Sequence, residues 1–286
     1  RNAWYEGFVA EAMDKFSREN EVMDVSGRRH SGVLTGDDMA KWRASYDDPQ
    51  TYDFHDYTVM KTGPWGQGPV LLQQLALLKD YGLKAMDPNG PDFVHVVVEA
   101  AKLAFADREA FYGDPDFVDT PMETLLSDAY NGARRGLIDM DKASLELRPG
   151  QIDGYGGEID YAAHVAAGSQ DFAKFGIGEP TVSKQGQVQG DTCHVDVIDR
   201  HGNMVACMPS GGWLQSSPTI PDLGFCLNSR AQMFWLEKDR PATLVPGKRP
   251  RTTLSPSMAL KDGEPYMAFG TPGGDQQDQW PLHMFL

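Results

Sequence analysis

Thr192, at the head of a predicted strand, could act as a nucleophile. It follows Gly190 and Asp191 and precedes an apolar-alternating run from Cys193 to Ile198. Because threonine is β-branched, it is favoured in strands whatever its role, and that is one interpretation. The other is chemical. Cleavage of the Asp191–Thr192 peptide bond would leave a free α-amino group beside the threonine hydroxyl, a base and a nucleophile in one residue.

The strand that Thr192 heads is predicted to be the first arm of a β-hairpin. A second alternating run, 204–207, follows the segment 199–203, DRHGN, whose Gly and Asn tolerate the positive φ of a tight turn. The arms carry Cys193 and Cys207, for which we expect buried free thiols, with a cross-strand contact as the alternative. The chain has only one further cysteine, and three are too few for a disulfide framework or a zinc site.

Two later segments carry groups that could bind a substrate or an anion. Residues 246–256, PGKRPRTTLSP, are rigid, basic and rich in hydroxyls. Residues 270–275, GTPGGD, lie between a predicted strand and a predicted helix. Consecutive glycines can aim backbone N–H groups at one point, and such a nest would stabilise the oxyanion of an acyl-transfer step. A simple turn is the alternative interpretation of this junction.

The elements that must position these groups follow from hydrophobic periodicity and from helix start signals. We predict helices over 4–20, from Thr35 through Trp42 behind a capping box, over 69–80, from about 91 to about 112, and over 121–135. We predict strands over 57–60, 223–227, 257–260 and 265–269. In the first helix, we expect Phe8, Ala12, Met13 and Phe16 to face inward.

Three remaining stretches have weaker interpretations. The glycine-rich segment 62–69 fits neither nucleotide-binding fingerprint, so we interpret it as a strand-to-helix turn. The charged run 107–109, Asp-Arg-Glu, is interpreted as a solvated or locally paired helix end, with a catalytic role as the alternative. The glycine-rich stretch at about 148–191 predicts a flexible linker that ends directly before Thr192, and a long surface loop would have the same composition.

Composition limits the classes of function. The 286 residues suffice for one large domain or two smaller ones. The net charge of -15 would repel a phosphate backbone or an anionic membrane surface, so we expect no nucleic-acid partner. No apolar run reaches membrane-spanning length, and no metal or organic cofactor is implied. Since the chain begins at Arg1 and ends in an apolar run, we expect a fragment, and cytoplasmic and periplasmic locations both stay open.

Several ordered motifs together resemble the γ-glutamyltranspeptidase family of N-terminal-nucleophile hydrolases. In the first part of the chain they are GVLTGDDMAKW, GPVLLQQLALL and EAAKLAFADREAFYGDPDFVDTP. In the second part they are GDTCHVDVIDRHGNMVA, PGKRPRTTLSPSM and GTPGG. The resemblance implies an α+β fold, a four-layer αββα sandwich of which this chain is a part. It also implies a precursor that cleaves itself, with residues 1–191 from the large subunit and residues 192–286 from the small one.

The resemblance also implies roles for individual residues. Thr192 would be the residue of autocleavage and the acylating nucleophile, with its own α-amino group as the base. The second hydroxyl, which supports the nucleophile, falls on Ser210 in place of threonine. Gly273 and Gly274 would form the oxyanion hole. The hydroxyl pair that binds the substrate carboxylate falls on Thr252 and Thr253, where the family often has serines. His194 is left with two interpretations, a residue of a polar interior or a direct catalytic role.

Departures from the family pattern concern the substrate. Gly212 replaces an asparagine of the family. Arg230 and Met233 stand where a glutamine and an aspartate would hold the α-amino group of the substrate. Methionine cannot pair with an ammonium, and arginine repels one while it attracts a carboxylate. A γ-glutamyl amide is the expectation from the family. The alternative is a small anionic amide, as in the divergent branch that resembles oxamate amidohydrolase, and an inactive binding protein on the same scaffold is a second alternative.

Overall fold

A computed structural model describes residues 1–23, 27–156, 192–212, 217–228 and 230–286. The described residues form two compact units. The first contains residues 1–47 and 210–232, and the second contains residues 48–156, 192–209 and 233–286. Asp191 and the predicted linker beyond residue 156 lie outside the described residues.

Two helices open the first unit where one was predicted. Helix α1 covers Asn2–Tyr5 and helix α2 covers Phe8–Glu19, separated at Gly7, whose N–H donates to the Asn2 carbonyl at 3.0 Å. Of the four residues predicted to face inward, Met13 is buried and Ala12 and Phe16 are partly buried against its cluster. Phe8, the first residue of α2, is the exception and is 64% exposed. The buried residues of α2 are Val9, Ala10, Met13 and Ser17.

Short strands and one capped helix complete the first unit. Strands β1, Glu21–Met23, and β2, Arg29–Ser31, form a hairpin that the sequence did not predict. Helix α3, Gly36–Lys41, has the predicted capping box. Thr35 accepts from the Asp38 N–H at 3.2 Å, and Asp38 accepts from the Thr35 N–H at 2.9 Å.

Strand β8 is shorter than the predicted strand over 223–227. It covers only Phe225–Cys226 and pairs antiparallel with strand β7, Thr219–Ile220. The intervening residues form a turn, in which the Leu223 N–H donates to the Ile220 carbonyl at 3.1 Å and Gly224 has a φ of 67°. The positive φ at Gly224 is the physical reason that the strand cannot start earlier.

The second unit is built on a four-stranded antiparallel sheet in the order β10-β9-β4-β3. Its strands are β3 Gln50–Phe54, β4 Tyr57–Lys61, β9 Ser257–Lys261 and β10 Glu264–Phe269. Strand β3 was not predicted. In the centre, β4 pairs with β9, with Val59 opposite Ala259, both fully buried. The sheet therefore joins residues from before and after Thr192.

Helices cover the face of this sheet that carries Val59 and Ala259. Helix α4, Pro69–Leu78, contacts β3 and helix α5, Pro91–Phe111, and all ten of its residues are buried. We predicted only an apolar stripe, but α4 lies between the sheet and α5 and is enclosed on all sides. A 3₁₀ turn at Leu83–Ala85 joins α4 to α5.

The predicted helix over 121–135 consists of two helices. These are α6, Met122–Leu125, and α7, Asp128–Arg135, and the side chain of Ser127 caps α7 by accepting from the Tyr130 N–H at 3.2 Å. Serine competes with the backbone for hydrogen bonds, so it starts a new helix there. Near the end of the chain, a 3₁₀ turn, Gly274–Asp278, precedes helix α8, Trp280–Phe285.

The predicted hairpin after Thr192 is confirmed. Strands β5, Val195–Ile198, and β6, Met204–Cys207, pair antiparallel and contact β9 and β10. The expectation of buried thiols in the hairpin is wrong, because Cys193 and Cys207 are both free and exposed. They are not opposite each other, since Cys207 pairs with Val195 while the Cys193 N–H donates to the Pro209 carbonyl at 3.2 Å.

Candidate active site

Thr192 is a buried residue at the open end of the β5–β6 hairpin. It is 8% exposed, and the hydrogen bond from Cys193 to Pro209 extends the pairing of the hairpin to the residue after it. The backbone on the C-terminal side of Thr192 is therefore fixed by the hairpin. Its neighbour on the other side, Asp191, lies outside the described residues.

His194 ties the start of β5 to the segment that leads to the glycine pair. Its Nε2 donates to Oδ2 of Asp196 at 2.7 Å, and residues two apart in an extended chain share one face. The imidazole lies against Gly270 so closely that a Cβ on Gly270 would be 2.5 Å from Cε1 of the ring. Only glycine leaves room for the ring, which brings the start of β5 next to Gly270.

Thr252, the first of the two neighbouring threonines Thr252 and Thr253, lies against the glycine-rich turn, residues 62–68. Both are buried, at 4% and 2% exposure. The Thr252 N–H donates to the Trp65 carbonyl at 3.1 Å, and Thr252 forms a parallel bridge with Gly66. The Thr252 hydroxyl accepts from the Leu254 N–H at 3.2 Å. We predicted a strand-to-helix turn over 62–69, and the structure adds that this turn binds the backbone of Thr252.

The same turn also holds the glycine pair. Gly273 and Gly274 have φ angles of 119° and 45°, a conformation that side-chain-bearing residues rarely adopt. Nε2 of Gln67 donates to the Gly274 carbonyl at 3.3 Å. Two residues of one turn, Trp65 and Gln67, thus bind Thr252 and Gly274, so this turn links the segments that carry the hydroxyl pair and the glycine pair.

In the charged run at the end of α5, Asp107 and Arg108 are buried and Glu109 is partly buried. The helix end is therefore not solvated, whereas the other expectation, local pairing, is present between Arg108 and Glu109. Arg108 is 5% exposed, and its Nη1 lies 2.7 Å from Oδ1 of Asp275 and 2.7 Å from Oε1 of Gln67. Oε1 of Glu109 accepts from Arg108 and, at 3.1 Å, from Nη1 of Arg251. The sequence could not reveal this, because three of these partners lie far along the chain from α5.

Charge pairing decides the ionisation of this network. Burial alone would raise the pKa of Glu109, but Arg251 and Arg108 outweigh it and lower that pKa. Burial would likewise raise the pKa of Asp275, and Arg108 reverses the shift. Burial, with repulsion from Arg108, lowers the pKa of Arg251. Both carboxylates are therefore charged at neutral pH, each beside a guanidinium.

Asp107 belongs to a separate buried cluster on the same helix. It is fully buried, and its Oδ2 lies 3.1 Å from Nε of Arg134 and 3.0 Å from the Tyr130 hydroxyl. Its Oδ1 accepts from the Gly150 N–H at 2.7 Å. Burial raises the pKa of Asp107, against the opposite effect of Arg134. These contacts give Asp107 a role in packing α7 against α5.

Ser210 and Arg230 belong to the first unit. Ser210 is half-buried and precedes Gly211, which has a φ of 103°. Arg230 is 5% exposed, its N–H donates to Oδ1 of Asn228 at 2.6 Å, and it opens the 3₁₀ turn Arg230–Met233. A Cβ on Gly212 would be 2.8 Å from the Cys226 carbonyl oxygen. The backbone here thus excludes an asparagine side chain at position 212 without a local shift.

The described residues contain no group of three or more His, Cys, Asp or Glu side chains that could hold a metal ion. Within the same ranges, no helix has both the length and the apolar character needed to cross a bilayer.

Comparison with known proteins decides the family. The model of the family described as gamma-glutamyltranspeptidase matches residues 1–286, the whole chain. The chain belongs to the γ-glutamyltranspeptidase family. Among curated relatives, the glutathione hydrolase-like YwrD proenzyme of Bacillus subtilis (strain 168) is 31% identical over 98% of this chain and 44% of that protein.

Solved structures with similar sequences have the same fold. LmbA2991HD is 51% identical with a TM-score of 0.84, over 99% of this chain and 46% of that one. Cephalosporin acylase from Bacillus halodurans is 26% identical with a TM-score of 0.73, over 98% of this chain and 43% of that one. The chain spans less than half the length of these relatives. The expectation of a fold with both helices and sheets, of the γ-glutamyltranspeptidase and acylase type, is confirmed.

Proposed function

We propose that this chain is part of a self-cleaving amidohydrolase or acyltransferase whose nucleophile is Thr192. Family membership supports the chemistry, and the name of the YwrD relative describes a proenzyme. Residues 1–191 would then come from the large subunit and residues 192–286 from the small one, within a four-layer αββα sandwich. The observation that carries the proposal is that Trp65 and Gln67 bind Thr252 and Gly274 in the unit that contains Thr192.

Maturation is the first step of the proposed mechanism. Oγ1 of Thr192 attacks the carbonyl carbon of Asp191, and the acyl group moves from the nitrogen to the oxygen of Thr192. Water then hydrolyses the resulting ester. The products are a carboxylate at Asp191 and a free α-amino group on Thr192, next to a regenerated hydroxyl.

Turnover then uses the new amino terminus as the base. Oγ1 of Thr192 attacks the amide carbonyl of the substrate while its proton passes to the α-amino group. The N–H groups of Gly273 and Gly274 stabilise the oxyanion, and the hydroxyl of Ser210 supports Oγ1. The C–N bond breaks, and the leaving amine takes the proton. Water or an acceptor amine releases the acyl group from Thr192.

The proposed substrate is an amide that carries a carboxylate. The hydroxyls of Thr252 and Thr253 are donors suited to it, and a γ-glutamyl or related small amide follows from the family. Arg230 supports a second candidate, a small anionic amide such as oxamate, because a buried guanidinium favours an anion and repels an α-ammonium group. Met233 offers the ammonium no partner either.

Three probes test the proposal on the full-length protein: γ-glutamyl-p-nitroanilide, glutathione and oxamate. We expect the wild type to hydrolyse at least one of them and the Thr192→Ala variant to hydrolyse none. If wild type and variant are equally inactive on all three probes while the wild type binds one of them, the protein is a binding protein on this scaffold.

Arg230 variants distinguish the two substrate classes. For a small anionic amide, Arg230→Gln should lower oxamate turnover at least about tenfold, and Arg230→Lys should retain more of it because it keeps the charge. Efficient γ-glutamyl transfer that depends strongly on the α-amino group would exclude the oxamate-like candidate.

A further inference from the structure

We infer that Arg108 is a positioning residue of the acyl-transfer centre, which sets the conformation and the electrostatic field of the Gly273–Gly274 pair. The inference rests on the proposed function of that pair. Arg108 lies on α5, away from the motif that supplies the glycines, and it acts through Asp275 and Gln67.

The first connection is the ion pair with Asp275. Nη1 and Nη2 of Arg108 lie 2.7 Å and 3.3 Å from Oδ1 and Oδ2 of Asp275, so the pair is bidentate. Asp275 directly follows Gly274, and its side chain is half-exposed while that of Arg108 is 6% exposed. The buried guanidinium of Arg108 therefore fixes Asp275, the residue that follows the positive-φ pair Gly273–Gly274.

The second connection runs through the side-chain amide of Gln67. Nη1 of Arg108 donates to Oε1 of Gln67 at 2.7 Å, and this bond orients the amide with its nitrogen toward Gly274. That nitrogen donates to the Gly274 carbonyl at 3.3 Å. Gln67 is fully buried, so water does not compete for its amide. Arg108 thus restrains Gly274 from two sides, through Asp275 and through Gln67.

The ion pair also removes an electrostatic obstacle. A carboxylate next to an oxyanion hole opposes the negative charge that develops on the substrate oxygen. Arg108 offsets the charge of Asp275, and Glu109 is already shared between Arg108 and Arg251. Without Arg108, the carboxylate of Asp275 would lose its bidentate partner and keep only the weaker attraction of Arg251, one residue from Gly274.

Arg108 both restrains Gly274 and offsets the charge of Asp275. If so, Asp275→Asn should restore part of the kcat that Arg108→Gln loses, which a purely structural role of Arg108 would not produce. In full-length protein, Arg108→Gln should lower kcat at least about tenfold on whichever of γ-glutamyl-p-nitroanilide, glutathione or oxamate the wild type hydrolyses, with KM changed less than about threefold. Asp275→Asn alone should lower kcat less than about threefold. The double variant should be at least about threefold faster than Arg108→Gln, because the carboxylate that lost its bidentate partner is gone.

Arg134→Gln is the matched control. It also removes a buried guanidinium from a carboxylate, that of Asp107, and it should lower the midpoint of thermal unfolding without the loss of kcat in the matured protein. If Arg108→Gln does not fold, Arg108→Lys takes its place. Lysine keeps the charge but cannot reach Asp275 and Gln67 together, and an intermediate loss of kcat is expected.

Two results would overturn the inference. One is a folded, matured Arg108→Gln protein with the kcat of the wild type. The other is a double variant no faster than Arg108→Gln. A wild type that hydrolyses none of the three probes overturns the proposed function itself, and with it the inference, whereas failure of the rescue in an active enzyme overturns the inference alone.

Discussion

Nζ of Lys61 lies 3.0 Å from Oδ1 of Asp278, and both side chains are fully buried. Lys61 ends β4, before Thr192 in the chain, and Asp278 follows the glycine pair. The hydroxyl of Ser255 donates to the same Oδ1 at 2.6 Å, and Lys61 donates to the hydroxyl of Ser257 at 2.7 Å. This ion pair and the pairing of β4 with β9 therefore join residues that precede the proposed cleavage point to residues that follow it.

The first prediction is that the two pieces stay associated after cleavage before Thr192. Burial shields the Lys61–Asp278 pair from salt, and the pairing of β4 with β9 is central to the sheet. The pieces should co-elute in gel filtration even in about 1 M NaCl and separate only in denaturant. The uncleaved Thr192→Ala protein should elute at the same volume. Native elution of the small piece alone would contradict this.

The second prediction concerns Gly212. Its Cβ would approach the Cys226 carbonyl to 2.8 Å, so Gly212→Ala should lower the free energy of unfolding by about 1–3 kcal/mol. Gly132→Ala is the control, since a Cβ on Gly132, in α7, meets nothing within 4 Å. The control should gain up to about 1 kcal/mol from helix propensity. Equal stabilities of the two variants in urea unfolding would count against the observed backbone.

The third prediction links Gly270 to His194. Gly270→Ala should displace the imidazole and lower the unfolding free energy by about 1–3 kcal/mol. It should also lower kcat. His194→Ala removes the ring, so adding Gly270→Ala to it should cost much less than Gly270→Ala costs alone. Unfolding free energies of the four proteins in this cycle measure the coupling. Strictly additive effects would show that the two residues do not touch.

The fourth prediction is a pH dependence at Asp114. Its carboxylate accepts from the Arg249 N–H at 2.7 Å, from Nε at 3.0 Å and from Nη2 at 2.8 Å. Burial would raise the pKa of Asp114, but the bonds from Arg249 outweigh it and lower that pKa below its ordinary value of 3.8. The contribution to stability is therefore complete above that value and is lost as the pH falls through the lowered folded pKa.

Asp114→Asn tests this sign. The variant should be less stable than the wild type at pH 7, by about 3 kcal/mol, because Arg249 loses its charged partner. The difference should shrink as the pH falls from about 5 to about 2, since protonation of Asp114 then weakens the wild type alone. Urea unfolding across this range is the measurement. A constant difference at all pH values would contradict the ionised pairing of Asp114.

Local signals predicted much of the fold, and long-range pairing explains most of what they missed. The capping box at Thr35, the helices that begin at Pro69 and Pro91, and both hairpins after residue 192 follow from turn chemistry and periodicity. Strand β3 was missed because only tertiary packing marks Gln50–Phe54 as a partner of β4.

The candidate site shows the same division. The sequence marked Thr192, the hydroxyl pair and the glycine pair, and their assigned roles stay predictions. It did not mark Trp65 and Gln67 or the buried position of Arg108, because these depend on partners far along the chain. For that reason the charged run on α5 was predicted to be a solvated or locally paired helix end, and only the local pairing is found.

The amino terminus of the mature small piece is the most direct test of the central claim. Full-length wild-type protein, incubated and analysed by intact mass spectrometry and amino-terminal sequencing, should yield a piece that begins Thr192-Cys193-His194. Thr192→Ala should stay a single chain, and Thr192→Ser, which keeps a hydroxyl, should cleave at the same bond. A wild-type protein that stays whole after prolonged incubation, or that is cleaved at another bond, would contradict Thr192 as the nucleophile.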